Sequence, residues 1–151
     1  MKKQFLILVF ISIVFAENKT IQLYESPYCG CCELWGNYMQ NNGYKIQIHK
    51  IADLKVLKDK FAIKNEYQSC HTAVIQDYII EGHVPENAIS WLLENKPNGV
   101  FGIAAPGMPQ GSLGMEQGYE EEYPVILLNK DGSHTVYGYF KGKELLRKSS
   151  Y

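Results

Sequence analysis

The readable part of the chain opens with an alternation of apolar and polar residues. Thr20–Glu25 sets Ile21 and Leu23 against Gln22 and Tyr24, which predicts a strand ended by Ser26-Pro27-Tyr28. Residues 32–42 then carry Leu34, Trp35, Tyr38 and Met39 at helical spacing, and Asn42-Gly43 supplies a stop. Alternation returns over residues 44–51, with Ile46 and Ile48 on one face. Asp53 is placed to cap a second helix carrying Leu54, Leu57, Phe61 and Ile63. This part reads β-α-β-α, with a group of cysteines at the first strand-to-helix turn.

In the C-terminal third, Tyr123-Pro124-Val125-Ile126-Leu127-Leu128 is a proline leading into an apolar strand, and Asp131-Gly132 signals a hairpin turn. Residues 135–140 form the returning strand and residues 143–148 a short terminal helix. The order β-α-β-α, then a hairpin introduced by proline, then a helix is that of the thioredoxin fold. The predicted class is therefore α/β and thioredoxin-like, with an insertion at about residues 65–118 between the two halves. The insertion holds Ser69-Cys70-His71-Thr72, a strand-like stretch over 73–80, and Glu81-Gly82-His83-Val84. A helix over 85–94 follows, with Pro85 near its first turn, and then a Gly/Pro-rich loop over 102–118. A loop of that length inside a compact domain is functional or disordered, and its turn-forming residues favour an ordered one.

The N-terminus has a different character. Lys2 and Lys3 precede an apolar run over residues 5–15, broken only by Ser12, and Val14-Phe15-Ala16 leads into the polar Glu17-Asn18-Lys19. This is the layout of a secretory signal peptide, with cleavage after residue 16 and a mature domain over 17–151. The run is short of the ~20 apolar residues that a membrane span needs, so no membrane attachment is expected after cleavage. The 151 residues suit one domain, and 46% apolar with 21% charged residues is a globular profile. A net charge of −1 offers no basic field for nucleic acid.

Export changes how the cysteines read. Outside the cytosol, four cysteines default to two structural disulfides, but Cys29-Gly30-Cys31-Cys32 is too dense for that. Cys29 and Cys32 make a C-x-x-C at a helix start, where the helix terminus favours thiolate. Cys31 is superfluous to thiol–disulfide exchange, and a bond between neighbouring Cys31 and Cys32 would be strained. A dense thiolate cluster suits a soft metal such as Cu(I) or Zn(II), and Cys70 completes a set of four if the insertion folds over the turn. By its own sequence context Cys70 is equally a ligand, a resolving thiol or a disulfide partner. Pro124 can be a cis-proline set against the C-x-x-C, as in thioredoxin-like proteins, or an ordinary trans proline at a strand start.

Further segments add to this pattern. The stretch from Ser26-Pro27-Tyr28-Cys29-Gly30-Cys31-Cys32 to Glu33-Leu34-Trp35 is followed by Ser69-Cys70-His71-Thr72-Ala73 and Glu81-Gly82-His83-Val84-Pro85. After these come Ala105-Pro106-Gly107-Met108-Pro109-Gln110-Gly111-Ser112 and Gly114-Met115-Glu116. In this order the segments resemble the CopG-type family of periplasmic copper-resistance proteins, over nearly the whole mature chain. The resemblance implies a thioredoxin-like fold and a cysteine-bridged cluster of several copper ions held by Cys29, Cys31, Cys32 and Cys70. It also implies a periplasmic role in copper resistance, interconversion of Cu(I) and Cu(II), and other periplasmic copper-handling proteins as partners. Leu113 departs from the family pattern, where proline is expected, and Pro124 also stands where a different residue is expected.

His71, Met108 and Met115 are the secondary candidates for copper. Imidazole and thioether both suit it, and both methionines sit beside glycines in the loop. Each has a plainer reading, with His71 a polar residue at a strand start and the methionines packing the loop onto the domain. His83 is the weaker histidine, able simply to close a turn, though the family resemblance raises it. The alternative function is a thiol–disulfide oxidoreductase in which Cys29 attacks and Cys32 resolves, Pro124 being part of its case. Cys31 and the methionine loop discriminate, because exchange needs neither.

Overall fold

The computed structural model describes residues 19–150, so the expected leader lies outside the described residues. The chain order is β1 (Thr20–Glu25), α1 (Gly30–Asn41), β2 (Lys45–Lys50), α2 (Leu54–Lys60), β3 (His71–Ile75), β4 (Tyr78–Glu81) and α3 (Glu86–Asn95). It continues with β5 (Val100–Ala104), β6 (Glu122–Asn129), β7 (His134–Lys141) and β8 (Glu144–Lys148). The strands form a single eight-stranded sheet in the order β2-β1-β3-β4-β5-β6-β7-β8. β1 runs parallel to β2, and β4 parallel to β5. β1 with β3, and β3 with β4, are antiparallel.

The α/β class stands, and the β-α-β-α-hairpin-helix order is present, but on different residues. The hairpin is β3–β4 and the helix is α3, so residues 20–95 carry the whole arrangement. The segment read as an insertion supplies β3, β4 and β5, which lie between β1 and β6 in the sheet. The 73–80 stretch turns at Gln76, which adopts the left-handed φ of 51°. β5 was hidden by Gly102, which breaks the apolar run. An added Cβ there would fall 2.5 Å from the Ile79 carbonyl oxygen, so only glycine lets β5 lie this close to β4.

One expectation at the C-terminal end is corrected, and one open alternative is decided. Residues 143–148 were expected as a helix, and Glu144–Lys148 is instead the edge strand β8. Six residues cannot sustain a helix nucleus without tertiary help, whereas the open edge of β7 offers backbone partners at once. Leu145 pairs with Phe140, and glycine at position 138 leaves room for Leu145 and the Arg147 backbone. Pro124 lies within β6, opposite Tyr139, and no described peptide bond is cis. The residue that leads into the strand facing the C-x-x-C is Cys70, ahead of β3.

The sheet is covered on both faces. Trp35 and Met39 of α1 and Ile89 and Leu92 of α3 pack with Ile21, Leu23, Ala73, Ile80 and Phe140 in the larger core. Ile63, Tyr67, Ile79, Ala104, Ile126 and Leu128 form the smaller one. Neighbours Ile79 and Ile80 fall in different cores, as the two-residue period of a strand requires. Asp53 caps α2 as expected, accepting from the Lys55 and Val56 amides.

Because β5 is a central strand, Ile103→Ala should cost about 2–5 kcal/mol in a single cooperative urea transition. A separate early transition for this segment, or no loss, would show that it hangs outside the common core.

Candidate metal centre

β1 ends at Glu25, the chain turns through residues 26–28, and α1 begins at Gly30 with Cys29 as its N-cap. No side chain caps the helix, so its first amides and its dipole are left to favour negative charge at residues 29–32. Across the sheet, β3 runs antiparallel to β1, so its first residue, His71, stands beside Glu25, the last residue of β1. That register delivers Cys70 to the first turn of α1.

All four Sγ atoms of Cys29, Cys31, Cys32 and Cys70 lie within 4.8 Å of one another. Cys29 and Cys32 are joined as a disulfide, and Cys31 and Cys70 are free thiols. Cys31 Sγ is 3.4 Å from Cys29 Sγ and 3.9 Å from Cys70 Sγ, and Cys70 Sγ is 3.4 Å from Cys32 Sγ. Burial, with Cys31 adding to it, pushes the Cys70 thiol up to about 12. A thiol held so strongly protonated becomes thiolate when a cation takes the proton's place.

Two histidines extend the donor set. Cys70, His71 and His83 place one donor atom each within 4.8 Å of one another. His83 Nε2 lies 2.9 Å from Cys70 Sγ, and His83 Nδ1 lies 2.6 Å from the Leu113 carbonyl oxygen. A carbonyl only accepts, so Nδ1 carries the proton and the bare Nε2 faces the sulfur. His71 Nδ1 is 3.4 Å from the same sulfur, and its ring lies 4.6 Å from that of Trp35. Burial lowers both imidazoles; at His71, taken well below the usual range, the charges of His83 and Lys58 add to it against the Gly82 backbone, and at His83 it outweighs the Leu113 carbonyl and Glu116. Both are neutral bases with lone pairs, and the donor set of sulfur and neutral imidazole fits copper.

The loop after β5 closes one side of this group. Gly107 N donates to the Gln68 carbonyl at 3.0 Å, and Ser69 Oγ donates to the Gly107 carbonyl. Gly114, at φ +90°, lies against α1 so closely that a Cβ would meet the Cys31 carbonyl oxygen at 2.5 Å.

Known proteins can be set beside this geometry. Two solved structures of the copper resistance protein copG, in two forms, superpose with a TM-score of 0.76 at 35% identity. The first matches over 82% of this chain and 98% of its own, the second over 80% and 97%. The chain belongs to the CopG copper resistance family. Residues 67–115 also match the family described as a protein of unknown function, DUF411. No curated protein matches. The DUF411 segment takes in Cys70, His71, His83, Met108 and Met115 but not the C-G-C-C turn.

In this CopG relative the secondary candidates are placed unequally. His71 is fully buried in the site. Met108 is 52% exposed, and Met115 is half-buried, lining a cavity of about 190 Å³ with Gln110, Gln117 and Tyr119. His83, the weaker histidine by its own sequence context, is brought to Cys70 as closely as His71, because a turn-closing residue and a donor give the same sequence signal. Leu113, which stands where the family pattern has proline, contributes the carbonyl that orients His83.

Sequence reasoning also missed a buried network on the far side of β3. Glu81 accepts from Ser69 N at 2.7 Å and Thr72 Oγ1 at 2.6 Å, and its other partner is Lys58 Nζ. It thus grips the chain on both sides of Cys70-His71. The available signal was a charged residue ending an apolar strand, and that pattern equally describes a solvated one.

Gly114→Ala should lift the loop from α1. In reduced, metal-free protein Cys31 should then alkylate several-fold faster, read by mass spectrometry. An unchanged rate would show that the loop does not cover the site.

Proposed function

We propose that this CopG-family chain binds copper in copper resistance, its reduced thiolates Cys29, Cys31, Cys32 and Cys70 bridging several Cu(I) ions. The observation that carries the reading is the convergence of four Sγ atoms within 4.8 Å from two separate segments. Two like charges ~4 Å apart repel by about 4 kcal/mol at an effective dielectric of 20, so such a set needs cations to exist as thiolates. Thiolates prefer Cu(I), and the neutral imidazoles of His71 and His83 also suit Cu(II), which supports interconversion of the two states at this site. Met108 and Met115 are further soft donors for copper in transit. The copG structures are of a copper resistance protein, which is what brings copper rather than zinc to this chain.

The same reading places the protein outside the cytosol, in the periplasm, after removal of residues 1–16, with copper ions and other copper-handling proteins there as its partners. The leader-like N-terminus supports export, and no described helix is long and apolar enough to cross a membrane. The secreted chain should start at Glu17 by intact mass; retention of residues 1–16 would contradict export by cleavage.

The bond between Cys29 and Cys32 favours a second reading, thiol–disulfide exchange with Cys29 attacking and Cys32 resolving. Anaerobic Cu(I) titration of reduced protein separates the two. The copper reading expects several ions per chain with all four thiols protected, and Cys31→Ser should lower the stoichiometry while sparing reversible disulfide formation. Wild-type stoichiometry in Cys31→Ser would overturn the ligand set. No tight copper alongside a reversible C-x-x-C would favour exchange.

A further inference from the structure

Among the described residues, two buried side-chain atoms have no hydrogen-bond partner: Glu25 Oε2 and His71 Nε2. They belong to facing residues. Glu25 closes β1, His71 opens β3, and the two are Cα partners in the antiparallel ladder. Directly opposed residues present their side chains to one face of a sheet, with Cβ atoms ~4.5–5.5 Å apart. This is the α1 face. Leu23 and Ile21, two and four residues before Glu25, lie in the core with Trp35, and the Trp35 ring packs on His71.

The two atoms complement each other. A carboxylate oxygen only accepts, and an imidazole nitrogen that carries hydrogen donates. The other oxygen of Glu25 is bound by Lys50, which also binds Glu33, so the carboxylate is fixed in place. The other nitrogen of His71, Nδ1, faces Cys70 Sγ at 3.4 Å. With the proton on Nε2, the Nδ1 lone pair is left bare toward the sulfur set. Metal-binding histidines almost always donate their second ring N–H to a carboxylate, a carbonyl or water, which fixes tautomer and orientation.

We propose that Glu25 accepts a hydrogen bond from His71 Nε2–H, directly or across one buried water, and that this pair holds His71 as a metal ligand through Nδ1. Glu25 is then a positioning residue. His83 is held in the complementary way, its Nδ1–H on the Leu113 carbonyl and its Nε2 toward Cys70. The two rings so offer opposite nitrogens to one sulfur. The metal-binding half of this inference rests on the copper reading; the hydrogen-bonded pair does not.

The test is imidazole ¹H–¹⁵N NMR on reduced, metal-free protein, followed by Cu(I) competition titration. Wild type should show His71 as the Nε2–H tautomer with a slowly exchanging proton. Glu25→Leu should abolish that protection and weaken Cu(I) binding by about 10–100-fold. If that variant does not fold, Glu25→Gln carries the test, because an amide accepts more weakly than a carboxylate and should move the Nε2–H resonance upfield. An Nδ1–H tautomer in wild type overturns the proposal, and so does a resonance indifferent to the substitution at Glu25. A protein that shows the pair but binds no Cu(I) upholds the hydrogen bond and sinks the copper reading instead.

Discussion

The register of β3 against β1 is the constraint on which the site depends. It sets His71 beside Glu25 and so brings Cys70 to the first turn of α1, 38 residues beyond Cys32 in sequence. A slip by one residue would turn every side chain of β3 to the other face. That would send Ala73 and Ile75 out of the core they share with Leu23 and Ile21, so the apolar packing that stabilises the sheet also holds the cysteine–histidine cluster in register. Further contacts fix the same corner. Trp35 Nε1 donates to the Val84 carbonyl, Gly82 N donates to the His71 carbonyl, and Glu81 grips Ser69 and Thr72.

Burial then gives the corner its chemistry. Low dielectric keeps both imidazoles neutral and opposes thiolate at Cys70. The same low dielectric strengthens the attraction of a bound cation for any thiolate that forms. The crowded sulfur set is seen with a disulfide between Cys29 and Cys32, and the proposed copper binding adds a second state with cations among four thiolates.

Much of this was legible in the sequence because it is local. The first two strands, α1, the Asp53 cap and the cysteine turn follow from alternation, helical spacing and capping chemistry. The α/β order was also right, yet its hairpin was assigned to residues 123–140 because that stretch has the longer apolar run. β3–β4 is short and its turn rests on Gln76, which is no turn signal. Gly102 disguised β5, and its reason is a contact with Ile79 that only the folded sheet reveals. β8 owes its form to an open edge and not to its own pattern. Cys70 could be named as a fourth thiol, but Glu25 could not be named at all. Its position at a two-residue step after Ile21 and Leu23 marks it as inward-facing, while its charge argues the reverse.

Copper held among the four converging sulfurs would leave a distinct X-ray signature. Copper K-edge X-ray absorption on the reduced, Cu(I)-loaded protein tests it most directly. The expected spectrum has a first shell dominated by sulfur, with copper–copper scattering beyond it. A first shell of nitrogen and oxygen without a copper–copper shell would contradict it.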